Sequence, residues 1–388
     1  MADRIERSWL WFVSLLSAPV MLLSFRSYVV VVAAFALPAV LRMECFRRTR
    51  PWPLWFWALA ALVLYSAFSA WWSPLGDPLS YAWSLPVVFA VASLLLTGKP
   101  QPVDIFAGGA GLALLLLFLD AVTGNLIRDV LPPDNRPDKD AVAAGRGLGL
   151  LLFLMPMLTL WAWRQFGRNG FVVVTVYLLA ALYTPIEINV VATFGAVLIG
   201  LAAWRSVRWG LRLLAVYAGL ALSVPFLLAV MLPSVPVLLE VRSLPLSVLH
   251  RLVIWRTVLD DWIGGHIVFG AGARATRALS QATGNVVLAE ANHQVALVSV
   301  HPHNVFIEVL YEYGLLGYSL LLAAFVLAVR LLLRMPLSRP LGAGVAALGF
   351  IIITIFSMET TLWNAYTLSA AVLGAFSLQS LAAESRWT

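Results

Sequence analysis

Charged residues and cysteines are scarce in this sequence. Only 12% of its 388 residues are charged and 61% are hydrophobic, whereas soluble domains average about 25% charged residues. This composition excludes an ordinary soluble enzyme, a disordered chain and a coiled coil. The single cysteine, Cys45, leaves no disulfide within the chain, so a large loop outside a membrane must hold its shape by other contacts.

Long apolar runs take the place of the missing charge. A helix that crosses a bilayer needs about 20 apolar residues, and twelve runs approach this length. A β-barrel is disfavoured because barrel strands alternate apolar and polar residues, whereas these runs are apolar on every side. We therefore expect an all-α polytopic membrane protein with about 12 transmembrane helices. The predicted spans lie at 8–24, 27–42, 54–72, 80–97, 103–122, 147–163, 171–185, 187–204, 211–232, 304–329, 340–357 and 365–382.

Basic residues fall mostly on one side of these spans. With the N-terminus placed in the cytoplasm, 16 of the 26 lysines and arginines lie at cytoplasmic ends or loops. The short outside connections at 73–79, 185–187 and 358–364 carry none. This is the positive-inside distribution, and it predicts that both termini are cytoplasmic. It also accounts for the net charge of +7 without nucleic acid as a partner.

Two predicted outside segments are much longer than a simple connection. We expect residues 1–232 to hold helices one to nine, with a polar arm at about 123–146. Residues 233–303 form a large loop, and residues 304–388 hold helices ten to twelve. Loops longer than about 12–15 residues are usually functional or disordered. Helical patterning inside the large loop predicts that it is ordered.

The large loop contains every histidine of the chain. They are His250, His266, His293, His301 and His303. Five arginines lie in the same loop, at Arg242, Arg251, Arg256, Arg274 and Arg277. A loop rich in arginine and histidine suits an anionic ligand such as a phosphate. The alternative is a solvated basic surface that meets anionic lipid headgroups.

An amphipathic helix is predicted over Pro245 to Ile263. One of its faces carries Arg251, Trp255, Val258 and Trp262. Two tryptophans on that face predict a helix that lies on the membrane surface, with Arg251 pointing inward. Arg256 lies on another face, one turn before Asp260, which is the spacing of a local ion pair. Arg251 is therefore the stronger candidate for a binding site, and Arg256 is a weaker one.

The run His301-Pro302-His303-Asn304 precedes a long apolar helix. Asparagine is a good N-cap, so helix ten should begin near Asn304. His303 would then lie at the positive end of a helix dipole, which favours a neutral imidazole and a nearby anion. A neutral histidine beside a bound phosphate can act as a general base. The alternative is a capping or interface histidine at the membrane surface.

Two carboxylates follow on the same face of helix ten. Asn304, Glu308 and Glu312 are spaced at i, i+4 and i+8. Burying a carboxylate inside a membrane span costs free energy, so such a residue is by default a candidate for a functional site. We expect Glu312 to make a structural hydrogen bond to another helix, and Glu308 is left open as an acid or an orienting group. Gly314 and Gly317 would let a neighbouring helix approach closely.

Other signals are weaker. Gly270-Ala-Gly272 predicts a tight turn or a close approach of backbone. Arg146 directly precedes the sixth helix, where it either reaches a phosphate at the membrane surface or anchors the helix end. No HExxH motif and no pair of cysteines predicts a metal site, so neither a metal nor another cofactor is expected.

The stretch from Arg251 to Gly317 resembles the signature region of the O-antigen ligase and O-antigen polymerase superfamily. It covers less than a fifth of the chain, and the rest of the likeness is architectural. The matching residues are Arg251 with Trp255, Gly270-Ala-Gly272, His303-Asn304-Val-Phe306-Ile-Glu308 and Glu312-Tyr-Gly314-Leu-Leu-Gly317.

This resemblance implies a glycosyltransferase of the GT-C type in the bacterial inner membrane, with its active site on the periplasmic face. The implied donor is a glycan on undecaprenyl diphosphate. A ligase would transfer it to lipid A–core in lipopolysaccharide biosynthesis, without a metal. His303 matches the family's catalytic histidine, and Arg251 matches the arginine that binds the diphosphate. His301 and Asn304 would lie at the same site.

One family feature is missing. Members often carry a Ser-Arg pair near position 187, whereas this chain reads Tyr183-Thr-Pro-Ile-Glu187-Ile-Asn189 without an arginine. Either Arg146 or Arg256 supplies the second positive charge for the leaving diphosphate, or the donor is held differently. The expected displacement inverts the anomeric centre, with His303 as the base.

Three alternatives remain beside the ligase. A polymerase would use the same donor and move the glycan to another carrier-linked repeat unit. A protein oligosaccharyltransferase would use a protein acceptor. A twelve-helix transporter would instead show ionisable residues near the bilayer midplane and two related halves, and this sequence shows few of the former and no duplicated half.

Overall fold

The computed structural model describes most of the chain, and the statements below concern that part alone. The described residues are 2–23, 28–41, 52–75, 83–97, 100–123, 147–183, 186–287 and 294–384.

The first part of the chain includes nine α-helices of 12 residues or more in its described residues. They are α1 (Ala2–Leu23), α2 (Tyr28–Leu41), α3 (Leu54–Ser69), α4 (Ser84–Thr97), α5 (Val103–Val122), α6 (Met155–Phe166), α7 (Val172–Tyr183), α8 (Glu187–Arg205) and α9 (Val207–Met231). Each overlaps one of the predicted apolar runs. Short 3₁₀ turns extend α3, precede α6 and join α6 to α7.

The large loop and the last spans follow. The loop holds α10 (Val235–Leu239), α11 (Leu246–Gly265), α12 (Ala275–Thr283) and a small antiparallel hairpin of β1 (Asn285–Val287) with β2 (Gln294–Ala296). The chain ends with α13 (Val305–Arg334), α14 (Arg339–Met358) and α15 (Ala365–Glu384). The prediction of an ordered helical loop is confirmed for these residues.

Apolar helices dominate, as expected for a polytopic helical membrane protein. Seven helical stretches of the described chain are long and apolar enough to cross a membrane, and three shorter apolar helices accompany them. The seven are Leu54–Trp72, Gly147–Tyr183, Glu187–Arg205, Val207–Met231, Val305–Arg334, Arg339–Met358 and Ala365–Glu384. The sequence predicted twelve spans. The difference arises partly because α2 and α4 have only 14 residues each.

Two large apolar clusters hold these helices together. One joins α1, α2, α5, α14 and α15 with the segment around Phe153, and Phe376 and Tyr177 are among its fully buried side chains. The other joins α3, α9, α11 and α13. The large loop is thus packed onto the spans through α11, because this helix shares a core with them.

Helix α13 is broken at Gly314, where φ is 60° and ψ is −165°. Only glycine adopts this conformation readily. A Cβ atom there would stand 2.4 Å from the carbonyl oxygen of Val268. The break separates a first part, residues 305–313, from a second part, residues 315–334. The second part alone has about the 20 residues that a span requires.

Residues 267–273, the inserted segment, fill the break. The Leu315 amide donates to the Ile267 carbonyl at 2.8 Å, and the Gly272 amide donates to the Glu312 carbonyl at 2.9 Å. Two further bonds join Ala271 to Tyr311 and Leu316 to Val268. The backbone groups freed by the break therefore find partners in the loop, as they must in an apolar environment.

The glycines of the inserted segment explain its close approach. Gly270 has φ 75°, and a Cβ atom there would lie 2.3 Å from the Glu312 carbonyl oxygen. The predicted close approach of backbone at Gly270-Ala-Gly272 is therefore confirmed. The prediction that Gly314 admits a neighbouring helix is wrong, because the inserted segment occupies that position.

The tryptophans of α11 do not face a membrane. Trp255 is 8% exposed and Trp262 is 7% exposed, and both belong to the core shared with α13. The prediction that their face lies on the membrane surface is therefore wrong. The same spacing of apolar side chains serves protein packing here, and periodicity alone does not distinguish the two surroundings.

Candidate functional site

A cavity of about 170 Å³ opens where the large loop meets the ends of several apolar helices. Its lining residues are Gly149, Leu150, Ile186, Ile188, Asn189, His301, His303, Ile355, Glu359, Thr360, Asn364, Tyr366 and Thr367.

The His301–His303 turn forms one wall of the cavity. His303 has φ 56°, a left-handed conformation that costs a residue with a side chain about 1 kcal/mol. Its backbone amide donates to Nδ1 of His301 at 3.3 Å. The indole of Trp255 donates to the Pro302 carbonyl at 2.7 Å. Helix α11 therefore fixes the turn, and such strain is typical of functional sites.

Asn304 caps α13, as the sequence predicts. Its side-chain oxygen accepts hydrogen bonds from the amides of Phe306 at 2.9 Å and Ile307 at 3.1 Å. The helix begins at Val305. Asn304 is 1% exposed and does not line the cavity. Its contribution is to start the helix immediately after His303.

The imidazole of His303 is held neutral. Burial, together with the neighbouring charges of His301, Arg251 and His250, lowers its pKa to about 3. A hydrogen bond to the backbone of Glu359 opposes this shift. Nδ1 of His303 is buried and has no hydrogen-bond partner. A neutral ring that donates from its other nitrogen therefore keeps an unused acceptor, which is costly unless a ligand fills it.

Arg251 reaches this wall from α11. Its guanidinium lies 3.5 Å from the Glu359 carboxylate, and both side chains are 27% exposed. Glu359 ends α14 and lines the cavity. Arg251 thus brings a positive charge to the same place as His303, as the sequence predicts. Its partner was not predicted.

Arg256 is directed elsewhere. It pairs with Asp260 at 2.7 Å, the local ion pair expected from their spacing. It also donates to the carbonyls of Ala229 at 3.2 Å and Leu232 at 3.0 Å, at the end of α9. The structure does not place it among the residues that line the cavity. Arg256 therefore fastens α11 to α9, and its candidacy as a diphosphate ligand is not supported by its position.

Glu312 is a structural residue. Its carboxylate accepts from the Trp363 indole at 2.7 Å, from the Arg274 amide at 2.9 Å and from the Thr276 hydroxyl at 3.2 Å. It is fully buried. The expected structural hydrogen bonds are confirmed, although the partners lie in loop segments and at the start of α12 rather than within another apolar span.

Glu308 has a similar setting. Its carboxylate accepts from the Thr361 hydroxyl and from the Leu362 amide at 2.6 Å, and it is 1% exposed. Glu308 does not line the cavity. The position of Glu308 favours the orienting role over the acid. Glu308 holds the connection between α14 and α15, and residues of that connection line the cavity.

Further polar residues of the cavity were not predicted. Thr360 donates to Thr367 at 3.2 Å and accepts from the Asn364 amide at 3.1 Å. Asn189 adds a buried amide from the start of α8. The signal was present in the run Glu359-Thr-Thr-Leu-Trp-Asn364, a polar stretch between two apolar spans.

Two further expectations concern Arg146 and metal ions. Arg146 lies outside the described residues, as does the arm around it. Within the described ranges, no group of three or more His, Cys, Asp or Glu side chains is arranged to hold a metal ion. The cavity thus combines a neutral imidazole, the Glu359 carboxylate and uncharged hydroxyl and amide groups, and Arg251 lies beside it as the partner of Glu359.

Comparison with known proteins adds no relative. No protein-family model matches this chain, and no curated protein matches it. The residues of the cavity and the motifs of the sequence are therefore the basis for a function.

Proposed function

We propose that this chain is a membrane glycosyltransferase that moves a glycan from undecaprenyl diphosphate to an acceptor hydroxyl group, in the manner of an O-antigen ligase. The observation that carries the proposal is the cavity that neutral His303 lines beside hydroxyl and amide side chains, with Arg251 held next to it by its contact with the lining residue Glu359. Such groups suit sugar hydroxyls, and an arginine suits a diphosphate.

The proposed chemistry divides between the two residues. Arg251 binds the diphosphate and stabilises the negative charge that develops as the bond to the sugar breaks. The neutral ring of His303, which lines the cavity, accepts a hydrogen bond from the acceptor hydroxyl and directs its oxygen at the anomeric carbon. Attack opposite the diphosphate inverts that carbon. No other charge is assigned to the leaving group among the described residues.

The proposal includes a location. The chain would cross the bacterial inner membrane twelve times with both termini in the cytoplasm, so that the cavity opens at the periplasmic face. Lipid A–core would be the acceptor. The distribution of basic residues and the apolar helices support this orientation.

A transfer assay tests the function. Purified protein is mixed with glycan-loaded undecaprenyl diphosphate and lipid A–core in the presence of EDTA, and acceptor mobility is followed on a gel. We expect a mobility shift that His303→Ala lowers by about 100-fold or more. His266→Ala is the matched control, because His266 is an exposed histidine of the same loop that does not line the cavity.

Each other result has a definite meaning. A ladder of longer donor-linked chains would identify a polymerase and overturn the choice of acceptor. Full activity of His303→Ala at wild-type protein level would overturn the assigned site. Absence of any covalent product from several donors and acceptors, with substrate flux into liposomes, would overturn the enzyme and identify a transporter.

A further inference from the structure

Transfer to a hydroxyl needs a group that takes its proton. His303 is a weak base that does not retain this proton, because burial and the surrounding positive charges hold its pKa at about 3. At neutral pH such a ring accepts a hydrogen bond but releases the proton at once. Another base must therefore be sought among the residues around the cavity.

Glu359 is the one carboxylate that lines the cavity in the described part of the chain. Its backbone is hydrogen-bonded to His303, so the two residues are held in a fixed relation. Its side chain is 27% exposed and therefore reachable from the cavity. The more deeply buried Glu308 and Glu312 are surrounded by donors of their own and do not line it.

We propose that Glu359 is the catalytic base that receives the acceptor proton, while His303 orients the acceptor hydroxyl. This inference rests on the proposed function. In the step, the acceptor O–H bond breaks and its proton passes to the Glu359 carboxylate. The oxygen forms the new bond to the anomeric carbon, and the carbon–phosphate oxygen bond breaks. The electron pair leaves with the diphosphate, and Glu359 later returns its proton to water.

The contact with Arg251 links this base to donor binding. The Arg251–Glu359 separation of 3.5 Å is longer than a tight ion-pair hydrogen bond. A neighbouring guanidinium makes a carboxylate a weaker base. A diphosphate that engages Arg251 draws the guanidinium away from Glu359, so the carboxylate gains basicity when the donor is present. Proton removal is thereby coupled to occupancy of the donor site.

Steady-state kinetics of Glu359→Gln test the assignment. We expect kcat to fall about 100-fold or more, while KM for the donor changes little or decreases, because Arg251 is then released. Glu359→Asp, which keeps a carboxylate, should retain more activity than Glu359→Gln. In Glu359→Ala, added formate should restore part of kcat, because it supplies a small carboxylate to the vacated space.

Asp260→Asn is the matched control. Asp260 also pairs with an arginine of α11, but that pair lies away from the cavity, so its kcat should remain at the wild-type value. If Glu359 only positioned Arg251, Glu359→Gln would raise donor KM and keep kcat, Glu359→Ala would gain nothing from formate, and the inference would be wrong. Donor binding by each variant shows that it is folded.

The two proposals fail in different ways. An inactive wild-type protein contradicts the proposed function and, with it, the role of Glu359. An active wild-type protein with an equally active Glu359→Gln variant contradicts the role of Glu359 alone. Loss of kcat in the variant, with rescue by formate, supports both.

Discussion

The cavity and the helix break lie beside each other, but they differ in whether their buried polar groups have hydrogen-bond partners. At the break, Glu312 accepts at least three hydrogen bonds, and the inserted segment satisfies the backbone groups freed by Gly314. At the cavity, Nδ1 of His303 has no partner, and the Arg251–Glu359 pair is loose.

This difference indicates that the polar groups at the break stabilise the fold, whereas those at the cavity are available to a ligand. Buried polar groups in a stable network are normally satisfied, and exceptions need an explanation. One short connection serves both regions, because Thr361, Leu362 and Trp363 hold the buried carboxylates while Glu359 and Thr360 face the cavity. Substitutions at the break should therefore change stability, and substitutions at the cavity should change activity.

The largest loss of stability is expected at Glu312. Glu312→Ala leaves the Trp363 indole, the Arg274 amide and the Thr276 hydroxyl without their acceptor. At about 1–3 kcal/mol for each buried donor, the free energy of unfolding should fall by about 4 kcal/mol. Titration with a denaturing detergent measures this. Glu187→Ala, at an exposed carboxylate, should change it by less than about 0.5 kcal/mol, and equal effects would contradict the comparison.

A smaller loss is expected at the break itself. Gly314→Ala forces a side chain into a left-handed conformation and against the Val268 carbonyl, which should lower stability by about 3 kcal/mol. Gly219→Ala is the control, since no atom of another residue lies within 4 Å of its added Cβ. Alanine favours a helix more than glycine by about 1 kcal/mol, so this variant should be neutral or more stable in the same titration.

The neutral state of His303 predicts a dependence of stability on pH. Its pKa is about 3 in the fold against 6.5 for the free side chain, with His301, Arg251 and His250 lowering it and Glu359 hydrogen-bonded to it. Between pH 6.5 and pH 3 the unfolded chain therefore binds a proton at His303 that the native state does not bind. This contribution is fully present above pH 6.5 and is lost as the pH falls from 6.5 towards 3.

Between pH 7 and pH 5 the loss should be about 2 kcal/mol, at 1.36 kcal/mol per pKa unit. Unfolding titrations of the wild type and of His303→Gln at both pH values measure it. The variant should show a shallower dependence. An identical dependence of unfolding free energy on pH in both proteins would mean that His303 binds its proton equally in the native and unfolded states, which would contradict the lowered pKa.

The smallest effect is expected at Arg256. Arg256→Ala removes two hydrogen bonds to α9 and an exposed ion pair, a loss of about 1 kcal/mol. Transfer activity per folded molecule should be unchanged, whereas Arg251→Ala should lose about 100-fold or more in kcat with its stability retained. Similar losses of kcat in Arg256→Ala and Arg251→Ala would indicate that Arg256 also binds the diphosphate.

The apolar spans and the start of α13 could be read from the sequence. Apolar runs of span length depend only on local composition, and an asparagine before such a run is a local signal for a cap. The proximity of Arg251 to the wall formed by His303 also agrees with the sequence motif. These features need few long-range contacts to define them.

Other features could not be read in this way. The tryptophans of α11 show the same periodicity whether they face lipid or protein. The break at Gly314 depends on backbone bonds from Tyr311, Glu312, Leu315 and Leu316 to residues at least 40 positions earlier in the chain. Glu359 became visible as a site residue only when the fold brought the end of α14 beside His303, although the polar stretch around it was a usable signal.

The break in α13 imposes an order on the biogenesis of the protein. The second part of α13 can enter the bilayer within a continuous helix, in which the amides of Leu315 and Leu316 bond to the carbonyls of Tyr311 and Glu312 four residues earlier. Docking of residues 267–273 replaces these partners, because the carbonyls of Ile267 and Val268 then accept from the two amides and the amides of Ala271 and Gly272 donate to the two carbonyls. The exchange leaves no backbone group bare in hydrocarbon, so the break forms after insertion, together with the cavity wall at His303.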